Sequence, residues 1–106
     1  MEITVTLDCQ AEVAHRLAAF SEGMAEQIRA HEQKGSWGNL TSQHLMANVR
    51  SHAHELEQAQ LDYTSGKMAG DIGRAAIRKA TLDLANYCFF IADNWNVIEL
   101  DSVNPS

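Results

Sequence analysis

Proline is almost missing from this chain: the 106 residues hold one, Pro105. A many-turned all-β domain or a proline-rich disordered segment would carry more, and 45% apolar content argues against disorder as well. Cysteine is scarce too. Cys9 and Cys88 are far apart in sequence and form neither a CxxC pair nor a secreted framework, so the expectation is two reduced, buried thiols. Positive charge is in short supply, with eight Lys and Arg against fourteen Asp and Glu and a net charge of −6. A module that grips duplex nucleic acid displays a basic patch; here the longest basic cluster is Arg74, Arg78 and Lys79, so no nucleic-acid polymer is expected as a partner. No apolar run reaches membrane-spanning length. Met1–Asp8 lacks the basic start and apolar run of a signal peptide. A soluble, cytoplasmic protein of one domain, 1–106, is the expectation.

What is present is helical periodicity. Val13, Leu17, Phe20, Met24 and Ile28 step by four, three, four and four residues, with Asp8 as a cap and Glu12 in the first turn. This predicts a helix over about 9–34, closed by Lys34-Gly35. Thr41 or Ser42 offers a second cap, and Leu45, Val49, Ala53 and Leu56 form the seam of a helix over about 42–63. His44, Asn48, His52 and Glu55 run down one flank of that seam. Thr64–Gly73, with three glycines, turns the chain. A third helix, about 70–95, contains Ala75–Asn94, a stretch with no proline or glycine. At about 100° per residue, Ala76, Ala80, Asp83, Tyr87 and Phe90 share one side of it, with Leu84 and Ile91 on its shoulder. Asn94–Asn96 ends it. Met1–Leu7 alternates like a short strand, with Val97–Val103 as its natural partner. The fold expected is all-α: three main antiparallel helices, short terminal β-strands, and apolar residues on more than one side that favour self-association.

Asp83 sets the chemical question. A carboxylate on an apolar helix face must be paired, hydrogen-bonded or bound to metal. On packed antiparallel helices, His52 and Glu55 from one and Asp83 and Asn86 from the other converge on a volume the size of a metal ion and its ligands. Carboxylates suit magnesium or manganese, and an added imidazole moves the preference toward manganese, zinc or nickel. Spacing alone leaves two readings open, a metal site and a self-satisfied Asp–His pair. Trp37 is a candidate to stack on a base or to anchor its loop. Arg78 and Lys79, one turn before Asp83, are candidates for phosphate contact or a basic surface cluster.

The wording around these positions carries a resemblance. Asp83-Leu84-Ala85-Asn86-Tyr87, running into Phe90-Ile91-Ala92-Asp93-Asn94, resembles the DVANF…MIADN stretch of small MazG-like proteins. Upstream, Lys34-Gly35-Ser36-Trp37 looks like the family's KGxW turn, and Val49–Ala59 looks like its LREEVAELEAA helix. The match covers roughly residues 15–95 in the same order. These families are all-α nucleoside triphosphate pyrophosphohydrolases, which release a nucleoside monophosphate and pyrophosphate.

The resemblance implies Mg²⁺ (or Mn²⁺) held by an ExxE pair and an ExxD pair, a nucleoside triphosphate substrate, and a homodimer or homotetramer. Carried over by position, Glu55 and Asp83 are kept as catalytic metal ligands, and Asn86 matches the family's Asn. His52 stands where the first Glu of ExxE would be, and Ala80 where the Glu of ExxD would be. The metal set is then His52, Glu55 and Asp83, with Trp37, Arg78, Lys79 and Asn86 as substrate contacts. Two of four acids are replaced. The implied function is a metal-dependent pyrophosphohydrolase with altered or weakened activity; the alternative is a non-catalytic relative that binds nucleotide or metal or serves as an oligomeric helical module.

Overall fold

A computed structural model describes residues 9–33 and 37–98 of the chain. Three helices account for most of them: α1, Ala11–Gln33; α2, Ser42–Thr64; and α3, Gly70–Asn94. Their bounds follow local chemistry. Thr41 sits in extended backbone ahead of α2, and its Oγ1 accepts the His44 N–H at 3.0 Å, satisfying one of the free donors of the first turn. α2 ends in a tight turn in which the Ser65 N–H reaches the Leu61 carbonyl at 2.9 Å. Gly66 there has φ of 84°, a left-handed conformation that a side chain resists. α3 begins with Asp71 in its first turn, where the helix dipole favours an acid, and Asp71 pairs with Arg74. It closes on Trp95, whose N–H reaches the Ile91 carbonyl at 3.0 Å, followed by Asn96 at φ 55°.

α3 is the central element. α1 and α2 both pack on it, and neither packs on the other among the described residues. Contact positions rise in α2 as they fall in α3: His52 lies beside Asp83 and Tyr87, and Tyr63 lies against Gly73. Along α1 they rise together with α3, from Gly23 beside Leu82 to His31 beside Phe90.

Two-sided packing explains where the sequence pattern shifts. α3 buries Leu82 and Asn86 as well as Ala80, and Phe90 is fully enclosed. Asp83 therefore lies at the margin of the α2-facing side, 17% exposed in its side chain, rather than at the centre of the deepest face. In α2 the seam passes through Leu45, Val49, His52, Leu56 and Ala59; Ala53, expected in it, is exposed. Only the C-terminal half of the α1 stripe is covered. Val13 and Leu17 remain 39% and 44% exposed, whereas Phe20, Met24 and Ile28 are half-buried.

Both cysteines are free and exposed, against the expectation of buried thiols: Cys9 precedes α1, and Cys88 lies on the side of α3 that neither neighbour covers. The expected strands Met1–Leu7 and Val97–Val103 lie outside the described residues except for Val97 and Ile98, which are not in a strand. The Asp8 cap and Lys34–Ser36 also lie outside. No helix among the described residues is long and apolar enough to cross a membrane.

Candidate metal centre

The α2–α3 packing brings His52, Glu55 and Asp83 together. Each offers one ligand atom, and the three atoms lie within 4.8 Å of one another. His52 Nδ1 is 3.1 Å from Glu55 Oε2, one helical turn away on α2, and 4.0 Å from Asp83 Oδ2 across the interface. The imidazole is braced from behind by Tyr87, with ring centroids 5.0 Å apart. His52 and Asp83 are mostly covered, and Glu55 is 53% exposed, so one ligand faces solvent while two are fixed by packing.

Lys79 completes the electrostatics. Its ammonium donates to Asp83 Oδ2 at 2.8 Å from one turn earlier on α3. That hydrogen bond, then the Asp83 charge, holds the Lys79 pKa above the ordinary lysine value; slight desolvation opposes the shift and Glu55 adds a little to it. Beside the donors, a groove of about 270 Å³ runs between α2 and α3. Ala59, Ala76, Ala80 and Met68 line its apolar part, with Glu55, Gln58, Asp62 and Lys79 as its polar residues. Gln58 Nε2 donates to Asp62 Oδ1 at 2.9 Å, which stiffens one edge. Ala80, 5% exposed, stands in this groove where a longer acidic side chain would enter it.

Other residues expected at the site lie elsewhere. Asn86 turns to α1: its Nδ2 donates to Gln27 Oε1 at 2.9 Å and to the Met24 carbonyl at 3.3 Å, and its buried Oδ1 has no partner among the described residues. Arg78 also faces α1, its guanidinium beside Gly23. Trp37 is spoken for as an anchor. Its indole stacks on Phe90 at 4.4 Å, its Nε1 donates to Asp93 Oδ2 at 3.1 Å, and its carbonyl accepts from Asn94 Nδ2 at 3.2 Å. Sequence reasoning missed the ring cluster of His31, Tyr87, Phe90 and Trp37. Histidine at the end of an amphipathic helix, three residues after Ile28, was the available signal.

A nitrogen donor with two carboxylates suits a borderline divalent cation such as Mn²⁺ better than Mg²⁺, which prefers an all-oxygen octahedron. Glu55, Asp83 and Lys79 together carry one net negative charge with His52 neutral, a deficit that a divalent ion would reverse. The donor set therefore fits a metal, and Glu55 also lines the groove. No protein-family model matches the chain, and no match is found among curated proteins or solved structures.

Proposed function

We propose that this chain is a MazG-like nucleoside triphosphate pyrophosphohydrolase that works with Mn²⁺ in preference to Mg²⁺. One observation carries the reading: three side chains of the types that hold divalent cations, drawn from two helices, meet within 4.8 Å at the edge of a groove. His52, Glu55 and Asp83 would hold the ion. Bound there, it would supply charge for the phosphate oxygens and lower the pKa of a coordinated water. The chain's own residues divide the remaining work. Glu55, the exposed carboxylate, would take a proton from the attacking water as its oxygen bonds to Pα and the bond from Pα to the bridging oxygen breaks, so that pyrophosphate leaves. Asp83 and His52 are held in place by their neighbours, and Lys79 is the cation lining the groove that the phosphates would enter.

A second reading has its own support. Ala80 contributes no donor, and Lys79 already sits on Asp83; both features fit a non-catalytic relative that binds metal or nucleotide. Pyrophosphate release separates the two, measured over canonical and modified triphosphates with Mn²⁺ and Mg²⁺ and compared with Asp83→Asn. Release by the natural chain that Asp83→Asn abolishes supports the enzyme. Silence of the natural chain, with turnover gained in the His52→Glu/Ala80→Glu double variant, supports the relative. Neither turnover nor a thermal shift with triphosphate and metal removes both.

The reading includes an antiparallel bundle that self-associates, as a homodimer or homotetramer in the cytoplasm. Its support is a small core: Leu45, Ala80, Leu82 and Phe90 are the buried apolar residues among those described, while Leu61 and Ile72 remain 54% and 70% exposed. Light scattering at micromolar concentration tests it, and a monomer would overturn it.

A further inference from the structure

The Lys79–Asp83 pair has a feature that neither a surface ion pair nor a plain metal site shares. Asp83 Oδ2, 4.0 Å from His52 Nδ1 across the interface, is also the acceptor of the Lys79 ammonium. One atom thus faces both the candidate metal position and the ammonium. The Asp83 side chain is mostly covered at 17% exposure, while that of Lys79 is 73% exposed on a long flexible stem. The acid is fixed and the lysine is free to leave. Among the described residues, Lys79 is also the one cation lining the α2–α3 groove.

Resting on the metal reading above, we infer that Lys79 is a placeholder cation that occupies Asp83 while the donors are empty, releases it when a divalent ion binds, and then presents its ammonium to anionic groups in the groove. The lysine holds a like charge near the donor set, so it weakens metal binding. In return it keeps the covered carboxylate of Asp83 compensated in the metal-free protein. The ammonium is exposed and keeps its hydration on leaving, and the arriving ion takes over the compensation of Asp83, so yielding the contact costs little. Lys79 is a positioning residue in the metal-free state and a groove-facing cation in the loaded one.

The test uses the full chain, Mn²⁺ as the probe, and two variants. Calorimetric titration is expected to show Lys79→Met binding Mn²⁺ about tenfold more tightly than the natural chain, the order expected for removing a like charge at a partly solvated site. Lys79→Arg, which keeps the charge, is expected to bind as the natural chain does. Acetylation followed by mass spectrometry gives the second readout. Saturating Mn²⁺ raises the labelling rate of Lys79 but not that of Lys67, and inorganic pyrophosphate added to the loaded protein lowers it again. Equal Mn²⁺ affinity in the natural chain and Lys79→Met, or labelling of Lys79 that ignores Mn²⁺, overturns the placeholder role while leaving the metal reading intact. No Mn²⁺ binding in any of the three proteins, with their helical circular dichroism unchanged, removes the metal reading and this inference with it.

Discussion

Gly73 is where the α2–α3 pairing is most sensitive to a single atom. A Cβ built on it would lie 2.5 Å from Tyr63 Cδ1 and 3.0 Å from the Met68 carbonyl carbon, and well inside contact distance of the Met68 carbonyl oxygen. The tyrosine ring can swing away. The carbonyl cannot, because it belongs to a turn pinned by the Met68 N–H to the Asp62 carbonyl at 2.9 Å. Gly73→Ala therefore has to displace the start of α3. Forcing a methyl against an immobile carbonyl takes the upper part of the usual overpacking cost, about 2–3 kcal/mol, set against about 1 kcal/mol that alanine gains over glycine inside a helix. The expected net loss of about 1–2 kcal/mol lowers Tm by about 5–10 °C in a domain of this size. Because α3 carries Asp83 and α2 carries His52 and Glu55, weaker Mn²⁺ binding is expected with it. Gly23→Ala is the control. Its Cβ would meet the movable end of Arg78 at 2.8 Å and the Leu82 methyls at 3.1 and 3.3 Å, so the helix gain and the crowding nearly cancel. Thermal melts at matched protein concentration decide the matter. A Gly73→Ala protein at least as stable as the natural chain would refute the close approach of α3 to the Met68 turn.

Further outcomes follow from the same contacts. Phe90→Ala removes a fully buried ring that meets Trp37, His31 and Tyr87; a loss of about 3–5 kcal/mol is expected in urea unfolding, together with a red shift of Trp37 emission. His52→Ala keeps both carboxylates and removes the nitrogen donor, so Mn²⁺ affinity should fall by more than tenfold while Mg²⁺ affinity changes less; equal losses for the two ions would show that the imidazole is not a ligand. Trp37→Phe retains a ring over Phe90 and loses the bond to Asp93, a change of about 0.5–1.5 kcal/mol by thermal melt. A larger loss of nucleotide binding than of stability would return Trp37 to the substrate side of the ledger.

The helices were legible because caps, glycines and the 3.6-residue pattern agree. The ends of α2 and α3 fall within one residue of the positions expected from Thr41, the Thr64–Gly73 turn and Asn94. Convergence of His52, Glu55 and Asp83 was legible for the same reason, since three- and four-residue spacings fix a helix face whatever the tertiary detail. Asn86 was not, because spacing alone does not show that α3 is packed on two sides; the three-residue step from Asp83 carries it round to α1 and Gln27. Ala53 and His52 exchanged places for a related reason. Hydrophobicity assigned the alanine to the seam, whereas the ring of Tyr87 gives the imidazole a better surface to lie on. Lys79 could have been read as the partner of Asp83 from its four-residue spacing, rather than as a phosphate contact first.

Every donor of the candidate centre comes from the hairpin of α2 and α3, while α1, which packs on α3 alone among the described residues, reaches the site at one remove through His31 against Tyr87. The site and α1 are therefore separable in dynamics. α1 can lift away, exposing Asn86 and Leu82, without parting His52 from Asp83. Deuterium uptake should then find α1 amides exchanging through small openings that leave the hairpin protected, with bound metal slowing the hairpin and hardly touching α1.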